Sequence, residues 1–200
     1  MNRLLWAGTI VLAGFELWAA SLLLSPQVSA NYRDYYVTGS SDCWPRAVSG
    51  RYQLGQPLSF RDDPVGRATV RHRQCGWIAP FSAGSWSVGD RARLRFAFAV
   101  PETGLLIGLV AQGYIGTDHR EQRVEVRVNG ERLDDLVFNP TTQGFAAIPV
   151  SRDVAALDPT GVTLQFDFPD RISPLAMGVN DDTRELGMLL SELMISPLPQ

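Results

Sequence analysis

The sequence predicts an all-β fold: an antiparallel jelly-roll-like β-sandwich preceded by a single N-terminal transmembrane helix. Three observations carry that expectation. Residues 4–24 form one apolar run whose only charge is Glu16. From residue 51 onward, apolar residues recur at every second position, the period of a half-buried strand and not of a helix. Gly, Pro and Asn/Asp clusters cut the alternating runs into short pieces, as the corners of a sandwich require.

Composition sets the outer limits. With 45% apolar and 20% charged residues, the 200-residue chain reads as globular and not disordered. A net charge of −3 excludes a nucleic-acid binder working through a basic surface. All 18 basic residues are Arg, so Schiff-base chemistry, a catalytic lysine and a Walker-type phosphate loop are excluded as well. Two His and two Cys leave little material for a zinc site, and the sequence implies no cofactor.

Residues 1–25 are expected to be the transmembrane helix. The 21 residues from Leu4 to Leu24 would measure about 31 Å as a helix, enough to cross a bilayer core. Arg3 favours a cytoplasmic N-terminus in a bacterial inner membrane, which places the following domain in the periplasm. Two readings stay open. The segment is a retained signal anchor, or it is a signal peptide cleaved after Ala30, where Val28-Ser29-Ala30 fits a processing site and Pro26 ends the helix. Ala7, Gly14 and Ser21, spaced by seven, line one face on which another helix could pack closely. Glu16 lies on a different face, where an ionisable group in lipid needs a polar partner.

Residues 26–50 are expected to be a juxtamembrane arm, the only linker in the chain. Cys43 and Cys75 are an even pair in an oxidising compartment, which predicts a disulfide closing a loop of 32 residues. Chain entropy gives such a bridge about 3–4 kcal/mol.

Residues 51–200 are expected to form the sandwich. Leu94, Phe96, Phe98 and Val100 alternate with Arg91, Arg93 and Arg95. Val124, Val126 and Val128 alternate with polar residues up to Asn129-Gly130, a two-residue hairpin signal, and residues 133–138 return. Val162, Leu164, Phe166 and Phe168 form a further strand, and residues 186–195 the last. Residues 51–60, 68–73, 104–112 and 145–150 complete eight to ten strands, with one helical turn after Ser151. Half-polar strands suit antiparallel sheets with one face in the core.

A set of short motifs runs in order along this domain: Tyr52-x-Leu54-Gly55-x-x-Leu58-x-Phe60, Gly76-Trp77-x-x-Pro80, Gly84-x-Trp86-x-x-Gly89, Val128-Asn129-Gly130, Ile148-Pro149, Ser173-Pro174 and Asp182-x-Arg184-x-Leu186-Gly187. The series resembles a family of bacterial envelope domains of unknown function, often attached to polytopic glycosyltransferase-like membrane proteins and similar to carbohydrate-module jelly rolls. The resemblance covers residues 51–196 and implies no catalytic residues.

No Gly-x-Ser-x-Gly nucleophile motif is present, and the carboxylate pairs are adjacent residues that diverge on a strand. Asp118-His119 reads as a solvated loop and His72 lies on an expected strand, so the chain is expected not to be an enzyme. Asn180, Asp181, Asp182 and Glu185 place oxygen ligands in one loop and make a weak calcium candidate, against an Asp182–Arg184 pair in a solvated loop. Tyr32, Tyr35, Tyr36, Trp44, Trp77 and Trp86 are the aromatic candidates for a partner or glycan surface, and the Arg91/Arg93/Arg95 stripe could meet an acidic partner. Trp77 and Trp86, next to Gly and Pro, also suit the core or a corner.

The sequence reading that follows is a non-catalytic single-pass subunit of a photosynthetic, respiratory, transport or export complex. Its helix would pack against other membrane subunits and its sandwich would dock on them. The alternative is an envelope carbohydrate-binding module that recognises a glycan or exopolysaccharide.

Overall fold

The computed structural model describes residues 2–24 and 28–199, and side chains at residues 6–22 and 28–199. The chain forms two compact units, Met1–Gly39 and Ser40–Gln200.

The first unit opens with helix α1 (Asn2–Leu24). Its apolar side chains, including Trp6, Val11, Phe15 and Trp18, are exposed around the helix, as are Ala7, Gly14, Glu16 and Ser21. The transmembrane expectation is not supported: among the described residues no helix is long and apolar enough to cross a membrane. Within the helix, Gly8, Thr9, Gly14, Glu16 and Ser21 interrupt the apolar run. Pro26, expected to end the helix, lies outside the described residues. The expected linker is partly helical. Ser29 caps α2 (Ala30–Tyr32), its Oγ accepting the Tyr32 N–H at 3.3 Å, and a π-helical turn follows over Arg33–Val37.

The second unit is the sandwich. One sheet holds β1 (Leu58–Ser59), β11 (Leu186–Pro197), β5 (Leu105–Gly113) and β9 (Gly144–Val150) in that order, with β3 (Ser85–Val88) also on β11. The other holds β2 (Arg73–Cys75), β4 (Arg91–Ala97), β10 (Gly161–Asp167), β6 (Gln122–Val128) and β7 (Glu131–Arg132), with β8 (Leu136–Phe138) also on β6. Every ladder is antiparallel. The chain crosses from β4 to β5, back to β6, over to β9, back to β10 and over to β11. This interleaving of two sheets is of jelly-roll type.

Alternation places the core as the sequence predicts. Leu94 and Phe96, Val124, Val126 and Val128, and Val162, Leu164 and Phe166 face Leu105, Ile107 and Leu109, all completely buried. Each such side chain contributes about 1.5–3 kcal/mol by leaving water. In β11 the register shifts between Leu190 and Glu192, so Leu190 and Leu193, three apart, both face inward. Asn129 and Gly130 form the expected hairpin with φ of 51° and 91°, joining β6 to β7.

Two strand expectations are corrected, and one strand was not foreseen. Residues 68–73 are not a strand until Arg73. Asp63 caps a short helix α3 (Pro64–Ala68), its Oδ1 accepting the Gly66 N–H at 2.7 Å with Pro64 at the first turn, and a 3₁₀ turn (Thr69–Arg71) follows. Within residues 51–60 only Leu58–Ser59 is a strand. The Tyr52 hydroxyl ties the rest to β11 by accepting the Ile195 N–H at 2.9 Å and donating to the Gln56 carbonyl at 2.5 Å. Strand β3 escapes the alternation signal because its inward residues are serines. Ser85 Oγ donates to the Ile78 carbonyl, and Ser87 Oγ accepts the Met188 N–H, at 2.7 and 2.8 Å.

A short helix α4 (Arg152–Ala155) follows Ser151, which caps it.

Candidate ligand-binding site

The arm from Ser40 onward belongs to the sandwich unit, and hydrogen bonds hold it there. Asp90 Oδ1 accepts the Ser41 hydroxyl at 3.2 Å and the Asp42 N–H at 2.9 Å. The predicted Cys43–Cys75 disulfide forms, with Cα atoms 5.3 Å apart. Arg46 then lies along β2, its backbone N–H donating to the Gln74 carbonyl at 3.3 Å and its Nε–H to the Arg73 carbonyl at 3.0 Å.

Just past the bridge, Gly76 has φ of +74°, and a Cβ there would lie 2.0 Å from the Arg91 carbonyl oxygen. Only glycine fits both the conformation and that approach. The turn delivers Trp77 to the sandwich edge, where its ring meets Phe60 and Phe166 with centroids 6.1 and 6.2 Å away.

These pieces border an open cleft of about 310 Å³ beside the disulfide, lined by Asp42, Trp44, Arg46, Arg73, Gln74 and Trp77. Trp44 is 43% exposed, whereas Arg73 is only 8% exposed. Arg73 Nη1–H donates to the Ile78 carbonyl at 2.7 Å. Its Nε–H and the Trp77 Nε1–H are both buried without an acceptor. Among the described residues neither Arg46 nor Arg73 has a carboxylate within ion-pair distance. Burial, and then the charge of Arg46, pull the Arg73 guanidinium below its ordinary pKa.

The structure thus brings two of the sequence-predicted rings, Trp44 and Trp77, to one place. It adds Arg46, Arg73, Asp42 and Gln74, which sequence reasoning missed. The only signal for them was nearness to Cys43 and Cys75 in the chain. β2 is a three-residue edge strand, too short to show an alternation.

The other candidates are placed elsewhere. Trp86 packs edge-on against Tyr114 with centroids 5.3 Å apart. Tyr114 lines a second cleft of about 570 Å³ with His119 and Met177, and burial, then Asp182, raise its hydroxyl pKa. Tyr32, Tyr35 and Tyr36 belong to the first unit, where the Tyr36 ring meets Tyr32 tilted at 4.9 Å and Tyr35 edge-on at 4.8 Å.

Arg91, Arg93 and Arg95 are engaged within the sandwich by β10 and the turn before it. Arg91 pairs with Asp167 at 2.5 Å, and Arg93 donates to Gln165 at 2.8 and 2.5 Å. Arg95 meets Asp158 at 3.0 Å.

The calcium candidate does not assemble either. Asn180 Oδ1 accepts the Asp182 N–H at 2.8 Å, Asp182 pairs with Arg184 at 2.6 Å, and Glu185 pairs with Arg171 at 2.5 Å. Hydrogen bonds from Arg184 hold the Asp182 carboxyl at a pKa of about 2. Among the described residues no three His, Cys, Asp or Glu side chains cluster as metal ligands.

His72 lies buried beside a 3₁₀ turn and not on a strand. It stacks on Phe96 at 4.9 Å, donates from Nδ1 to the Arg95 carbonyl at 3.1 Å and accepts the Arg71 Nε–H at 3.3 Å. His119 Nε2 lies 3.5 Å from Gln122 Oε1, and among the described residues neither histidine pairs with a carboxylate.

No family model and no curated protein matches the chain. Among solved structures it is similar to the CBM36-1 domain of a multidomain xylanase from the hindgut metagenome of Trinervitermes trinervoides, at 13% identity and a TM-score of 0.37, covering 60% of this chain and 82% of that one. It is also similar to a carbohydrate-binding module CBM36 in complex with calcium and xylotriose, at 13% identity and a TM-score of 0.38, covering 60% and 87%. A family 35 carbohydrate-binding module from an environmental isolate aligns at 14% identity and a TM-score of 0.33, covering 78% and 97%.

Proposed function

We propose that the sandwich is a non-catalytic glycan-binding module, placed outside the cytoplasm, and that the cleft beside the disulfide takes the sugar. The observation that carries this reading is the half-exposed Trp44 indole set beside a rim of polar donors. A pyranose has an apolar C–H face and a hydroxyl edge. A flat indole with adjacent guanidinium and amide groups answers both. The cleft is also pre-organised: the disulfide and the Arg46 bonds to β2 hold its outer wall. The disulfide itself suits an oxidising, extracytoplasmic location.

The test is titration of a glycan panel against the intact protein and Trp44→Ala. At least one glycan should bind, and the substitution should weaken it by about tenfold, or 1.4 kcal/mol, without moving the melting temperature. A panel with no binder, or a Trp44→Ala protein that binds as tightly, would defeat the reading.

A further inference from the structure

We infer that the cleft selects an anionic sugar residue, whose oxyanion is received by Arg46, Arg73 and the Trp77 indole N–H. The inference rests on the glycan-binding reading of the same cleft.

The chemistry of the unsatisfied groups points one way. Both buried atoms lacking partners here, Arg73 Nε and Trp77 Nε1, are donors. A ligand that completes them must accept. A buried N–H left without an acceptor is unfavourable, so these two lining residues favour an occupant with lone pairs over an apolar one.

Charge narrows the class further. Arg95, Arg127, Arg132, Arg171 and Arg184 each lie within ion-pair distance of a carboxylate. Arg46 and Arg73 have none among the described residues. Arg46 commits its Nε–H to the Arg73 carbonyl and is otherwise exposed on the rim. Asp42 is the one acidic residue of the lining, so the cleft keeps an excess of one positive charge. Two guanidiniums held together against their mutual repulsion, one of them buried, favour a compact anion between them. Burial and the Arg46 charge already disfavour the Arg73 cation, and an anion relieves both effects.

A purely structural role would make Arg73 only a tether for the Ile78 carbonyl. That carbonyl also accepts from Ser85 Oγ, so the tether is not its sole support.

The experiment compares a uronic-acid oligosaccharide with its methyl ester on the full chain, by calorimetry at low and high salt. The acid should bind about tenfold tighter or more, and raising the salt should shrink that margin because the rim charges are screened. Arg46→Met should remove the preference for acid over ester. Equal affinity for acid and ester would overturn the inference and leave the glycan-binding reading standing.

If neither oligosaccharide binds, the glycan reading fails, and free glucuronate then decides alone. A shift of the Trp77 indole N–H resonance that is absent in Arg46→Met would uphold an anion site, and no shift would overturn it. Binding of a sulfated galactan oligosaccharide as tight as the acid would uphold the inference, with the oxyanion and not the carboxylate as the determinant.

Discussion

Two groups of arginines on this sandwich have opposite surroundings. On β4, Arg91, Arg93 and Arg95 lie across the ladder from Asp167, Gln165 and Thr163, and the rung is closed further by Arg127 on Asp167 at 3.4 Å. At the cleft, Arg73 opens β2 and Arg46 lies beside it, with no carboxylate in ion-pair reach of either among the described residues. The first group is engaged by β10 and the turn before it, although Arg95 Nη1 is buried without a partner. The second is costly to bury and has chemistry left to offer. A row of guanidiniums therefore says little about binding until its partners are known.

The comparison can be broken most severely by removing the frame of the cleft. Replacing Cys43 and Cys75 with Ser should lower unfolding free energy by about 3–4 kcal/mol in denaturant titrations. Glycan binding should be lost with it. Retained binding would mean that the arm does not need its bridge to shape the site.

Next comes the ladder. Asp167→Ala leaves Arg91, Arg127 and the Gln165 amide without their acceptor, which should cost about 2 kcal/mol and leave ligand affinity unchanged. Any loss of affinity without loss of stability would show that the ladder face, and not the cleft, meets the ligand.

Arg73→Met sharpens the contrast from the other side. Replacing a buried, unpaired guanidinium with an apolar chain of similar length should shift stability by less than about 1 kcal/mol in either direction. A loss as large as that of Asp167→Ala would make Arg73 a structural tether.

The smallest effect expected is a pH slope. Burial, and then the charge of Arg71, hold the His72 pKa below 6.5 in the folded state. The unfolded chain therefore takes up a proton that the native state refuses. Stability from this group is complete above pH 6.5 and falls as pH drops below that value, until the lower folded pKa is reached. Melting temperatures between neutral and mildly acidic pH should show the slope, and His72→Gln should flatten it.

Much of the sandwich was legible in the sequence. Alternation announced β4, β6 and β10, Asn129-Gly130 announced a turn, and Cys43 and Cys75 announced their bridge. Trp44 was legible as a candidate ring, while Arg46 and Arg73 were not. The stripe of Arg91, Arg93 and Arg95 was read as outward-facing and able to meet an acidic partner, without sight of the Asp167, Gln165 and Asp158 that engage it in the fold. Alternation reports which face a side chain takes, but not which strand lies beside it. Likewise the strand expected at residues 68–73 lost to the Asp63 cap and Pro64, local signals stronger than a short apolar pattern.

By itself the sequence determined an all-β domain with a defined inside and outside and one covalent bridge, because side-chain period and cysteine number are properties of the chain alone. Only the tertiary structure decided which arginines are matched and which are not. The pairing of β4 with β10 joins residues about seventy positions apart, and the packing of the arm on β2 joins residues about thirty apart. No local pattern encodes either distance.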